Sequence, residues 1–128
     1  MGNRFLKLLA ERPFLMADGA TGTNLFGMGL MTGDSPEMWN FEHPERIEAL
    51  HQSFVDAGAD LFLTNSFGGT RHRLKLHNAQ DRVQEINQRA AEIGRKVADA
   101  AMKARPVARS SSRARSARPA SCSRRWAP

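Results

Sequence analysis

Tyrosine is absent from this 128-residue chain, cysteine occurs once, and no apolar run approaches the length of a membrane-spanning helix. The solitary Cys122 can form neither an internal disulfide nor a cysteine-based metal cluster. A bilayer-spanning helix needs about 20 apolar residues, and no signal-like apolar core follows the first basic residues. A cytoplasmic protein with no membrane partner is therefore expected. Acidic residues are missing from positions 103–128, which hold Lys103 and seven arginines. Of the 19 basic residues, eight lie in that tail, leaving 11 against 13 acids in residues 1–102, an ordinary balance for a soluble domain.

What is there is a chain of two unlike parts. Residues 3–11 read as a short amphipathic helix that Arg12-Pro13 stops. A first strand follows at about 14–17, then a long loop from 18 to about 43. Within the loop Trp39 and Phe41 are large enough to suggest that it packs over the body of the protein. A helix is expected from Pro44 to Ala57, with Pro at its first turn, Glu45 beside it and Gly58 as its stop. Ile47, Leu50, Phe54 and Ala57 share one face. The second strand is expected at Asp60–Thr64, after a short turn typical of parallel α/β units. From about Gln80 to Ala101, Val83, Ile86, Ala90, Ile93, Val97 and Ala100 make one apolar stripe, a long helix covering the sheet.

A third strand is due at Arg105-Pro106-Val107, but no aliphatic residue follows Val107. Residues 108–128 have the composition of a disordered Arg/Ser arm of the kind that binds nucleic acid. A shifted reading frame accounts for them better. Read two nucleotides late, with synonymous codons chosen freely, the stretch from Arg109 can yield Val-Ile-Val-Ala-Gly-Ser-Val-Gly-Pro-Thr-Gly, a buried strand followed by a Gly-rich loop. No nucleic-acid partner is expected, because residues 1–102 carry no recognised nucleic-acid motif and no basic face.

Chemistry concentrates at the two strand ends. The run Phe14-Leu15-Met16-Ala17 stops at Asp18 and opens into Gly19-Ala20-Thr21-Gly22-Thr23, while Leu61-Phe62-Leu63-Thr64 opens into Asn65-Ser66-Phe67-Gly68-Gly69-Thr70. Two such ends suggest one shared site. Asp18 could bind an ammonium group, act as a base or cap the next turn, and capping leads for a lone Asp before Gly. The small-residue loop could cradle a phosphate with its amides, which keeps a phosphate-ligand (β/α)₈ enzyme open as an alternative, although the Lys of a P-loop is missing. Asn65, Ser66 and Thr70 are equally consistent with a polar strand exit. His43, His51, His72 and His77 form no metal-ligand set, and His51 reads as a surface residue of its helix.

Together, Asp18-Gly19-Ala20-Thr21-Gly22-Thr23, Pro36-Glu37-Met38-Trp39-Asn40, His43-Pro44-Glu45, Asp56-Ala57-Gly58-Ala59-Asp60 and Thr64-Asn65-Ser66-Phe67 resemble the homocysteine S-methyltransferase family over about residues 5–102. The resemblance implies an α/β fold in which residues 1–107 are the N-terminal part of a (β/α)₈ barrel, about two of its eight strands. It implies methyl transfer to the thiol of homocysteine, giving methionine, with zinc on three cysteine thiolates holding that thiol as thiolate. By the same analogy Asp18 would hold the homocysteine amino group, Gly19 and Ala20 would allow close backbone approach, and Asn65, Ser66 and Phe67 would line the pocket. The partners implied are homocysteine and a small methyl donor. The stretches Asn24-Leu25-Phe26 and Gly33–Asn40 look most like bacterial proteins labelled betaine-homocysteine methyltransferase, which favours betaine over methyltetrahydrofolate or S-methylmethionine. Gly68, however, stands where the animal betaine enzymes carry a pocket tyrosine.

In the family the zinc cysteines come from later strands than those present here. With two strands of eight the barrel cannot close and a sheet edge stays bare. This polypeptide is therefore expected to be catalytically inactive and poorly folded.

Overall fold

The computed structural model describes residues 3–104. The expected third strand and the Arg/Ser tail lie outside the described residues. Helix α1 (Arg4–Glu11) starts where the Asn3 side chain accepts the Phe5 N–H at 3.0 Å. It buries no residue, and Phe5, Leu6 and Leu9 stay exposed.

The two expected strands are reduced to a single parallel bridge between Ala17 and Leu61, with no named strand among the described residues. Backbone bonds from Asp60 N to Met16 O at 2.8 Å and from Asp18 N to Leu61 O at 3.1 Å flank it. A parallel pair is stable only inside a larger sheet covered on both faces. Phe14, Met16 and Leu63 are instead exposed, so packing does not hold the segments in a longer ladder.

The stretch 18–43, expected as a loop, contains helix α2 (Thr21–Gly27), a 3₁₀ turn at Pro36–Met38 and helix α3 (Trp39–Glu42). The two glycines within Thr21–Gly27 are poor helix formers, and burial of Leu25 and Leu30 supplies what propensity does not. The expectation that Trp39 and Phe41 pack is met: Trp39 is buried, and Phe41 lies against the core.

Helix α4 (Pro44–Asp56) begins and ends close to the expected positions, and Gly58 turns the chain at φ +100°, a conformation that favours glycine. After a four-residue helix α5 (Arg71–Leu74), capped by the Thr70 hydroxyl, two 3₁₀ turns lead into helix α6 (Val83–Ala104). Helix α6 buries Ile86, Ala90, Ile93 and Val97 of the expected stripe, and Gly94 with them, while Val83 is half-buried and Ala100 is exposed. One apolar cluster joins Leu25, Leu30, Trp39, Ile47, Leu50 and Ile93, so α2, α3, α4 and α6 close around it. A second gathers Leu74, Ala79 and Ile86 under Met38, Phe41 and Val83. Lys96 spans α6 and α4 to reach both carboxylate oxygens of Glu48 at 2.8 Å.

His51, expected on the surface, is only 2% exposed. It follows Leu50 and lies one turn beyond Ile47, on a buried face wider than the three-and-four pattern alone defines. Its ring stacks on Phe62 with centroids 4.6 Å apart.

Candidate functional site

The Ala17–Leu61 bridge brings the two polar strand exits together. Asp18 leaves the first segment with its N–H on Leu61 O, and its Oδ2 accepts the Leu63 N–H at 2.9 Å. The carboxylate therefore ties the segments together through one oxygen, and Oδ1 has no hydrogen-bond partner among the described residues. Gly19 comes next, and a Cβ there would meet the Phe54 ring at 3.3 Å. Ala20 precedes α2, and its carbonyl accepts from the Asn24 side chain.

Beneath this junction, burial pushes the His51 imidazole below its usual pKa range, with the Asp18 charge partly opposing. Among the described residues, neither ring nitrogen of His51 has a hydrogen-bond partner.

The second exit is held from behind by polar side chains. Asn65 is 5% exposed, and its amide donates to Pro36 O at 2.8 Å and to Asn40 Oδ1 at 3.1 Å. Asn40, fully buried, donates back to the Asn65 backbone carbonyl at 3.0 Å, so its side-chain amide engages both the side chain and the backbone of Asn65. The Asn65 side-chain amide is thus directed into the protein. Ser66 places its hydroxyl 2.9 Å from that of Thr64. Phe67 is 86% exposed, with the Arg73 guanidinium 5.5 Å from its ring centre.

Two glycines end the turn. The Gly68 N–H donates to Glu37 Oε1 at 2.6 Å, while the Ser35 hydroxyl donates to Glu37 Oε2 at 2.8 Å. The Gly69 carbonyl accepts from Asn87 at 2.7 Å. A Cβ on Gly68 would stand 2.6 Å from the Glu37 carboxylate, and one on Gly69 would run into the Asn87 amide. Small residues are required here because polar side chains occupy the adjoining space.

The parallel bridge thus has Asp18, Gly19 and Ala20 leaving the first segment at the same end as the exit from the second, which leads to Ser66 and Phe67. Glu37, Asn40 and Asn87 were not assigned a role from sequence. The signal for the first two was the Pro36–Asn40 motif; Asn87 gave none, lying on a helix rich in polar residues. Among the described residues no group of three or more His, Cys, Asp or Glu side chains could hold a metal ion, so they do not supply the zinc site that the resemblance implies. No helix of the described residues is long and apolar enough to cross a membrane.

Residues 15–120 match the family model for Homocysteine S-methyltransferase. Over 100 residues, 73% of the chain, the sequence is 35% identical to a methionine synthase of Mycobacterium leprae and 33% identical to that of Mycobacterium tuberculosis. It spans about 8% of the length of these curated relatives. The fold matches the crystal structure of the homocysteine methyltransferase MmuM from Escherichia coli, oxidized form, with a TM-score of 0.71 at 27% identity. That match covers 83% of this chain and 37% of the other.

Proposed function

The chain belongs to the homocysteine S-methyltransferase family, and on that premise we propose that it carries the amino-acid-binding part of a (β/α)₈ barrel that methylates the homocysteine thiol to give methionine. The observation that carries this reading is Asp18: a carboxylate fixed through Oδ2 at the junction of both strand exits, with Oδ1 unengaged among the described residues. Such an oxygen suits the ammonium of an amino acid, because a charge-assisted hydrogen bond is stronger and shorter than a neutral one. Gly19 lets the backbone pass close to the Phe54 ring, which a Cβ would meet at 3.3 Å, and the Ser66 hydroxyl and exposed Phe67 ring supply the facing wall. Phe67 is suited to shielding a methyl donor from water.

Asn65 enters this reading differently from the initial expectation. Both of its amide hydrogens are directed inward, so it sets the position of Ser66 and Phe67 and leaves contact with the substrate to them. Zinc supplies thiolate stabilisation in the family reading, but the described residues lack its ligands and no step is routed through it. Betaine is the donor we propose, from the Gly33–Asn40 stretch. Gly68 separates this pocket from one built around a tyrosine.

The test is the nucleotide sequence from codon 100 onward. The expected result is a second frame encoding a hydrophobic strand, then a Cys and a later Cys-Cys pair. The 128-residue polypeptide is expected to show no homocysteine-dependent methionine formation with betaine, methyltetrahydrofolate or S-methylmethionine, zinc added. Turnover by the purified chain would overturn the proposal that this part alone is inactive, and a second frame without cysteines would overturn the frameshift.

A further inference from the structure

The polar turn at Asn65–Gly69 is held by a segment far from it in sequence. We propose that Glu37 is a positioning residue for the homocysteine pocket: its buried carboxylate fixes the turn that presents Ser66 and Phe67, and does so through hydrogen-bond geometry. This assignment rests on the homocysteine reading for its substrate and on the structure alone for its contacts.

Glu37 is 6% exposed, and each of its oxygens accepts one hydrogen bond, from Gly68 N–H and from Ser35 Oγ. A buried carboxylate persists only where donors replace water, and here one of the two donors is the backbone of the pocket turn itself. The same 35–40 segment grips Asn65 a second time, through Pro36 O and the Asn40 amide. The turn is therefore pinned at both its first and fourth residues, while Phe67 between them stays in solvent. Gly68 completes the arrangement, since a Cβ there would displace the carboxylate that holds its own N–H. A side chain at position 68 and a carboxylate at its present place exclude one another, so Glu37 also determines what position 68 can contribute to the pocket.

The test uses the full 128-residue chain, labelled with nitrogen-15, in three forms: unsubstituted, Glu37→Ala and Glu37→Gln. Glutamine keeps an acceptor for Gly68 N–H, and the Ser35 hydroxyl can rotate to accept from its amide. Without ligand, Glu37→Ala is expected to speed hydrogen exchange of the Gly68 amide by about tenfold, the loss of one charge-assisted bond, with α4 and α6 amides unchanged. Glu37→Gln is expected to restore most of that protection. Unchanged Gly68 exchange in Glu37→Ala, or exchange raised equally in α4 and α6, overturns the assignment. Added L-homocysteine then separates the two readings. In Glu37→Ala, perturbation of the Ser66 and Phe67 amides should be lost while that of Gly19 and Ala20 remains. If L-homocysteine perturbs neither set in the unsubstituted chain, the homocysteine reading fails, and the exchange result still decides whether Glu37 holds the turn.

Discussion

Asp18 accepts the Leu63 backbone N–H at 2.9 Å, so the residue proposed to hold a substrate ammonium is also the side chain that ties the two strand exits together. The capping of the next turn expected from sequence does not form, since Ala20 is the N-cap of α2 with no side-chain bond. One Asp18 oxygen ties to Leu63 instead, leaving the other for binding. Asp18→Ala removes the acceptor and is expected to lower stability by about 1 kcal/mol in urea unfolding. Asp18→Asn keeps a carbonyl for Leu63 and should recover most of that loss while still failing to bind an ammonium. Equal stability of all three proteins would show that the bond to Leu63 contributes nothing.

His51 predicts a pH dependence. Burial lowers its pKa in the folded chain, so the unfolded chain binds the proton more readily. Its contribution to stability is therefore intact above the unfolded value of about 6.5 and declines as pH falls through that value toward the folded one. The difference in melting temperature between the unsubstituted chain and His51→Phe should shift in favour of the variant between about pH 7.5 and about pH 5. A pH-independent difference would contradict the burial of a neutral imidazole against Phe62.

Trp39 lies in the cluster with Leu25, Leu30, Ile47, Leu50 and Ile93, with the Arg46 guanidinium 4.9 Å from its ring centre. Trp39→Ala is expected to cost about 3–5 kcal/mol, enough to abolish the cooperative unfolding transition of a small domain. A loss below about 1 kcal/mol would mean that the 18–43 stretch does not pack as the structure has it.

Where sequence and structure agree, one periodic signal dominates. The α6 stripe and the ends of α4 were legible because the apolar spacing and the Pro44 and Gly58 punctuation all point the same way. The segments at 14–17 and 60–64 have the composition of strands, but a longer ladder needs neighbouring strands and the described residues supply none, so among them only the Ala17–Leu61 bridge forms. Helix α2 was hidden by its glycines and is held by burial of Leu25, a tertiary effect. In the site, Asp18 was legible as a strand-end carboxylate. The inward turn of Asn65 and the grip of Glu37 on Gly68 were not, because both depend on residues about 25–31 positions apart in the chain. No local pattern records which polar side chain a fold will bury against which turn.

The central claim, that this chain presents an amino-acid site for homocysteine at its two strand exits, is tested most directly by a nitrogen-15 amide titration of the purified chain with reduced L-homocysteine. Perturbations are predicted at Gly19, Ala20, Ser66 and Phe67, and Asp18→Asn should abolish those at Gly19 and Ala20. Inorganic phosphate should leave the Gly19–Thr23 amides unmoved. Perturbation of those amides by phosphate, with none from homocysteine, would contradict the account and favour a phosphate-binding loop.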